Sequence, residues 1–519
     1  MGARGAVAAG HPATAEAAAT ILDEGGNAFD AALAAMVAAC VTEPVFCSMG
    51  GGGFLLAHDA DGTTELCDFF AQTPLARPDE RHSHFYPVLC DFGTVQQEFH
   101  IGMASIATPG VVKGLFEVGR RLGRMPLKRV VEPALHLAKQ GVALHRLQAY
   151  IFQVVGPIYM ETAGSRAIFE SKERPGELIG EGELVANPDF ADFLDALVSE
   201  GEDLFYRGEI AARVDAECRA AGGTLRRADF EAFRMERRRP LSLDYGGATL
   251  FTNPPPSAGG ILIAFALEML KEIRAGFRSF GAAEHLGPLV RVMDLTNEAR
   301  VESRLHEGEP DAAAARLFSA PLLETYRARV AGQPRARRGT THISVVDADG
   351  NAASLTISNG EGCGYVIPGT GVMLNNMLGE EDINPHGFHA WPTDRRLSSM
   401  MAPSLIVDSD GRLTALGSGG SNRLRTAILQ VLINLIDFGL DMEAAVENPR
   451  VHFERGLLNI EPGFPEDAVR ALVSDYPEHK LWDDRNLFFG GVHAVRADRD
   501  SGNFAGAGDP RRGGAAVNL

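Results

Sequence analysis

At Gly339-Thr340-Thr341-His342, a charged, loop-like stretch meets a strand-like run, and a threonine hydroxyl stands next to a glycine carbonyl. Glycine leaves that carbonyl open to attack. An N→O acyl shift followed by hydrolysis would cut the chain there and free the amine of Thr340. An α-amine titrates near 8, so at neutral pH a fraction of it is uncharged and accepts the hydroxyl proton. One residue then supplies both nucleophile and base. Taken alone, Gly-Thr-Thr would equally open any strand, since threonine favours strands.

Two further groups bear on this chemistry. The turn Ala348-Asp349-Gly350 joins the strand-like run 343–346 to another at 353–358. A three-residue loop with Gly350 left-handed sets Thr340 opposite Ser358, hydroxyls on one face. A two-residue Asp349-Gly350 loop would instead pair Ser358 with Thr341. Downstream, Gly419-Gly420 lies between a strand and a helix start, where backbone amides and the helix dipole can stabilise an oxyanion. No Lys-Ser/Thr follows, which argues against a phosphate loop.

The elements that must position these groups are readable in outline. Ala18, Ile21 and Leu22 form a helical stripe stopped by Gly25-Gly26, and Phe29, Leu33, Met36, Val37 and Cys40 form another that ends before Pro44. Residues 50–53 are all glycine and precede the strand-like Phe54-Leu55-Leu56. Residues 109–240 read as mostly helical, and Pro254-Pro255-Pro256 leads into a helix over 261–273. The segment 305–339 reads as a charged, exposed linker. Past 340 the pattern turns to strands, followed by a helix carrying Leu424, Ile428, Val431, Leu432 and Leu435 on one face.

Composition bounds the function. With 49 Lys+Arg against 68 Asp+Glu, the formal charge of −19 repels polyphosphate, so no nucleic-acid partner is expected. No apolar run reaches the ~18 residues of a membrane span. The start lacks an apolar signal region, and the six cysteines form no CxxC, which together predict a cytoplasmic protein with reduced thiols. His82-x-His84 and His386-x2-His389 have metal-compatible spacing but no cysteine or clear carboxylate set, so no metal is expected. Glu380-Glu381-Asp382 reads equally as a cation site or a solvated loop.

The stretch 340–352, Thr-Thr-His-Ile-Ser-Val-Val-Asp-Ala-Asp-Gly-Asn-Ala, closely resembles the small-subunit start of the γ-glutamyltranspeptidase family of N-terminal nucleophile hydrolases. Ala8-Ala9-Gly10-His11-Pro12, the run 25–32, the glycines 50–53, the segment 254–260, Leu374-Asn375-Asn376, Arg396-Leu397-Ser398-Ser399-Met400 and Gly419-Gly420-Ser421 resemble it too, in the right order over nearly the whole chain. The resemblance implies an α/β (α+β) fold, a four-layer αββα sandwich. It implies self-cleavage between Gly339 and Thr340 into a large fragment 1–339 and a small catalytic fragment 340–519, both in one compact body. It assigns Thr340 as nucleophile, Ser358 to orient it and Gly419 and Gly420 to the oxyanion hole. Substrate would be held by Asn359, Glu361, Glu380, Ser398 and Ser399. The substrate class is a small γ-glutamyl or acyl amide, as in glutathione metabolism. No cofactor is implied, and an oligomer is possible.

Four departures accompany it. Phe70 stands where the family has a carboxylate-gripping arginine. The segment 358–364 is short, so Asn359 matches only across a gap. Glu380 replaces an aspartate, and the loop 380–398 is too short for the usual lid. These predict hydrolysis over transpeptidation, with a glutaryl or cephalosporin-type acylase as the alternative activity. A non-catalytic binding protein on the same scaffold is a third reading.

Overall fold

The computed structural model describes residues 4–91, 96–303, 310–319, 321–323, 326, 340–384, 387–420 and 423–519. Gly339, Ser421 and His386 lie outside these, as does most of the linker. Two large sheets stack face to face. The first runs in the order Ala515–Asn518, Gly5–Ala9, Thr341–Asp347, Ala352–Ser358, Gly52–His58, Thr64–Phe69, Glu236–Arg238. The second runs Asn503–Ala507, Gly491–Asp498, Leu413–Gly419, Ser404–Asp408, Ala248–Thr252, Leu241–Tyr245.

Helices cover both outer faces. Pro12–Asp23, Ala28–Thr42, Leu127–Gln140 and Pro188–Glu200 share one apolar core with the outward residues of the first sheet. Gly259–Leu270, Ala283–Glu302 and Arg423–Ile436 share another with the second. Residues beyond 340 thus supply three strands of the first sheet, threaded between strands from before 303. A cut at residue 339 would leave every one of those ladders in place.

Strand alternation decides what faces what. Ile343, Val345, Leu355 and Ile357 point at the helices of the first layer. Their neighbours His342, Ser344, Ser354 and Thr356 point between the sheets. There the Ser354 hydroxyl donates to the Leu416 carbonyl at 2.9 Å, and the Ser344 hydroxyl to that of His493 at 3.1 Å. His342 bridges Thr356 and Ser344 through its two ring nitrogens, at 2.8 and 2.9 Å. Every polar group in this buried layer with such a partner avoids the cost of burial unpaired. Burial holds the His342 ring neutral, its pKa well below the ordinary value.

Asp347, at the end of one strand, fixes both the turn and the neighbouring helix. Its carboxylate accepts from the backbone N–H groups of Asp349 and Asn351, at 3.0 and 2.9 Å, and from Ala28 N–H at 2.8 Å. The last of these opens the helix Ala28–Thr42, where an anion also complements the helix dipole. Asn27 caps the same helix, in a reciprocal box with Asp30.

Two expectations are corrected. Pro310–Leu317 is an α-helix within the segment read as linker, since its four consecutive alanines behind a leading proline are strong helix formers. The strand at Gly52–His58 begins inside the glycine run rather than after it.

Candidate active site

The hairpin pairs Thr341 with Ile357 and Val346 with Ala352, across a loop with Gly350 at φ +92°. This is the three-residue-loop register, and carried one residue further it sets Thr340 opposite Ser358. Thr341 sends its hydroxyl to Glu43 at 2.8 Å, on the side of the helix Ala28–Thr42. Thr340 therefore belongs to the inter-sheet face, at the mouth of the polar layer, and is 4% exposed.

The second sheet closes on it. A Cβ on Gly419 would lie 1.9 Å from the Thr340 carbonyl oxygen, so only glycine fits there. Gly420 follows at φ +125°, a left-handed conformation that favours glycine, and the helix Arg423–Ile436 starts three residues on. Arg512 donates from Nη1 to the same carbonyl at 3.1 Å.

The four-glycine run lets separate segments converge beside Ser358. Side chains at Gly50, Gly51 and Gly52 would collide with the backbones of Met373, Ser358 and Phe70–Ala71, at 2.4, 2.2 and 2.5 Å. The Ser358 hydroxyl accepts from Gly360 N–H at 3.1 Å. Asn359 is buried, and neither its carboxamide oxygen nor its nitrogen has a hydrogen-bond partner among the described residues. A side chain at Gly360 would meet Asn376 Oδ1 and Glu380 Oε1, both at 2.2 Å, and Glu361 N–H donates to Asn376 Oδ1 at 2.8 Å. Asn359, Glu361 and Glu380 thus gather with Asn376 just beyond Ser358.

Ser398 and Ser399 lie on a different segment, tied to the chain just past the strand Thr64–Phe69 by a bond from Leu397 N–H to the Ala71 carbonyl at 3.0 Å. The Ser399 hydroxyl accepts from Met401 N–H at 3.0 Å, while its carbonyl takes the Ser257 hydroxyl at 2.8 Å. Phe70 faces inward, stacked on Phe54 at 5.2 Å. A guanidinium does reach this corner, from Arg396, with both its Nη groups engaged and its Nε without a hydrogen-bond partner among the described residues. It binds the carbonyl of Phe70 and that of Arg234, pairs with Asp68 at 3.4 Å and lies over the Phe233 ring.

Two groups at the site were not singled out from the sequence. Glu43 caps the helix Ala28–Thr42, and burial pushes its carboxyl up to about 7, against hydrogen bonds from Thr341 and Thr14 and the charge of Arg512. Arg512, also buried, is pushed down to about 10, so it stays a cation at neutral pH. The one local signal for Glu43 is a carboxylate closing a helix that is apolar apart from Asp30 and Thr42. The histidine spacings go elsewhere: His82 is exposed and binds Asp79, and His389 packs on Phe85. Among the described residues, no three His, Cys, Asp or Glu side chains converge as a metal site would need. No described helix is long and apolar enough to cross a membrane.

Two helix-covered sheets stacked in four layers, with a threonine opening a central strand between them, are the architecture of the N-terminal nucleophile hydrolases. A family model described as gamma-glutamyltranspeptidase matches residues 14–519, and the chain belongs to that family, enzymes of the hydrolase and transferase type. It is 30% identical to the acylase ACY 1 proenzyme of Pseudomonas sp. (strain V22), over all of this chain and 94% of that protein. It is equally 30% identical to the glutathione hydrolase proenzyme of Escherichia coli (strain K12), over 95% of this chain and 87% of that one. The crystal structure of cephalosporin acylase from Bacillus halodurans superposes with a TM-score of 0.84 at 25% identity, covering 99% of this chain and 96% of the other.

Proposed function

We propose that the chain is a self-processing amidohydrolase that carries its acyl group on Thr340. The Thr340 hydroxyl attacks the Gly339 carbonyl, the peptide nitrogen leaves as the Thr340 amine, and water hydrolyses the resulting ester. The products are fragments of 339 and 180 residues. In turnover the same hydroxyl adds to the substrate amide carbonyl while its proton passes to the amine. The oxyanion forms beside Gly419 and Gly420, and the leaving amine takes the proton as the tetrahedral centre collapses. Water then releases the acid. Ser358 orients the hydroxyl, and Asn359, Glu361, Glu380, Ser398 and Ser399 line the acyl site.

The observation that supports this reading is the contact between Gly419 and the Thr340 carbonyl, which brings a strand-opening threonine up to a strand-to-helix glycine pair. Asn359 supports the substrate assignment, because a buried carboxamide with both ends unused is costly unless a ligand completes it. The substrate class is a γ-glutamyl or related acyl amide, since the similar proteins include both a glutathione hydrolase and an acylase. Phe70, which offers an α-carboxylate no donor, favours acyl groups without one, with water rather than an amino acid as acceptor. Thr340→Ala tests the core of the proposal on a denaturing gel. The natural chain should run as two bands and the variant as one inactive band. A variant that still splits at the same bond removes Thr340 from the mechanism.

A further inference from the structure

We infer that Arg512 is a positioning residue that keeps the Thr340 amine in its uncharged, proton-accepting form, with Glu43 as the opposing charge. The inference rests on the proposed role of Thr340 as nucleophile and base. Its ground is geometric. Arg512 Nη1 holds the Thr340 carbonyl oxygen at 3.1 Å, and the guanidinium lies over the Phe46 ring at 5.2 Å. Cβ positions built on Gly419 and Gly420 come within 3.1 and 3.2 Å of its nitrogens, so the two glycines form the seat of the group. The amine released by the cut sits on the Cα that carries this carbonyl. Backbone dimensions then put the cation roughly 5 Å from it. A cation at that range in a water-poor site disfavours an ammonium, and so favours the free base.

Other charges face the same place. Glu43 approaches from the end of the helix Ala28–Thr42, Glu361 from the loop after Ser358, and Asp509 from the C-terminal segment. Asp509 is committed to Arg450 at 2.6 Å and Arg511 at 3.2 Å. His493, pushed down to about 4 by burial, and His342 carry no charge at neutral pH. Cys47, beside Glu43, has its thiol pushed up by burial and stays neutral too. Glu43 is the group whose charge changes near neutrality, and it binds the hydroxyl of the very next residue, Thr341. Arg512 and Glu43 therefore hold the Thr340–Thr341 unit from two sides with opposite signs.

The acid limb of kcat/KM reports the pKa of the base in the free enzyme. It is measured with an acyl anilide on the mature full-length protein and three variants. Arg512→Gln keeps a donor for the carbonyl but removes the charge, so the limb should move up by about one pH unit. Arg512→Lys keeps the charge and should leave the limb near its natural place. Glu43→Gln removes a charge that is present only as pH rises through about 7, so it should move the limb down by less than Arg512→Gln moves it up. Opposite displacements from Arg512→Gln and Glu43→Gln are what simple loss of packing cannot produce. A limb unmoved in both, or moved alike by Gln and Lys at 512, overturns the inference while leaving Thr340 as nucleophile. Should Arg512→Gln stay uncut, Arg512→Lys decides: a limb displaced upward although the cation is kept overturns the inference. Activity in Thr340→Ala would instead sink the parent reading.

Discussion

Gly419 stands so close to Thr340 that its missing side chain is a requirement of the site: a Cβ there would sit 1.9 Å from the Thr340 carbonyl oxygen. That oxygen is backbone, one residue before the paired strand Thr341–Asp347, and cannot swing away as a side chain could. Gly419→Ala should displace Thr340 or the glycine strand, and abolish both self-cleavage and turnover. Gly287→Ala is the control. It lies within a helix with nothing near its Cβ, and should stabilise by roughly 0.5–1 kcal/mol. A Gly419→Ala protein that cuts itself at the natural rate would show that the sheets can separate there at no cost.

The Ser358 hydroxyl accepts from Gly360 N–H and faces the same side of the sheet as Thr340. Ser358→Ala removes one hydrogen bond of about 0.5–1.5 kcal/mol, so processing and turnover should slow by roughly 2- to 13-fold. Ser358→Thr keeps the hydroxyl and should be tolerated. Gel densitometry over time gives the first rate and anilide hydrolysis the second. Equal rates in all three proteins would leave Ser358 with a purely local role.

Glu43 makes stability depend on pH. Its carboxyl is pushed from the ordinary value up to about 7, so the folded chain binds a proton that the unfolded chain has already lost. The stability this group contributes is complete below about pH 4.5 and is lost as pH rises through 7. Between pH 5 and 8 that amounts to about 2–3 kcal/mol, or roughly 2 °C in Tm for a chain of this length. The comparison is made in the uncut Thr340→Ala background, with and without Glu43→Gln. The fall in Tm from pH 5 to 8 should be smaller with glutamine at 43. An identical fall would mean that Glu43 titrates as an ordinary surface carboxylate does.

The parts of this site legible in the sequence are those set by local chemistry. The turn Ala348-Asp349-Gly350 fixes a register, and a register fixes which hydroxyls meet. The polar layer between the sheets was not legible. His342, Ser344, Ser354 and Thr356 alternate with apolar residues as a solvent-facing strand would, and only the second sheet shows that they are buried. Arg512 is bound to a carbonyl 172 positions away and Glu43 to a hydroxyl 298 away, separations that no local pattern records. The linker 305–339 looked uniform by charge, which hid the helix Pro310–Leu317.

The last prediction concerns the acyl group. Relatives of the transpeptidase type are expected to grip the substrate's α-carboxylate with an arginine where this chain has Phe70. The ring is 2% exposed and stacked on Phe54, so it offers that anion nothing. Arg396 brings a guanidinium to the same corner, yet both its Nη groups already serve the carbonyls of Phe70 and Arg234, and its Nε faces the Asp68 carboxylate at 3.4 Å. An α-carboxylate would thus forgo a charge-assisted bond of roughly 1.5–3 kcal/mol, about 10- to 150-fold in affinity. A 4-aminobutyryl anilide, which is the γ-glutamyl compound without its α-carboxylate, should surpass the matching γ-glutamyl anilide in kcat/KM by at least about 10-fold. Phe70→Leu keeps the corner apolar and should keep that preference. Phe70→Arg should narrow it only in the fraction that folds, since it places a cation in the Phe54 stack and beside Arg396, both costly. The decisive measurement is the ratio in the natural protein. Efficient, saturable γ-glutamyl turnover matching the 4-aminobutyryl rate would mean that Asn359, Glu361, Glu380 and the serines hold the amino-acid end without a clamp.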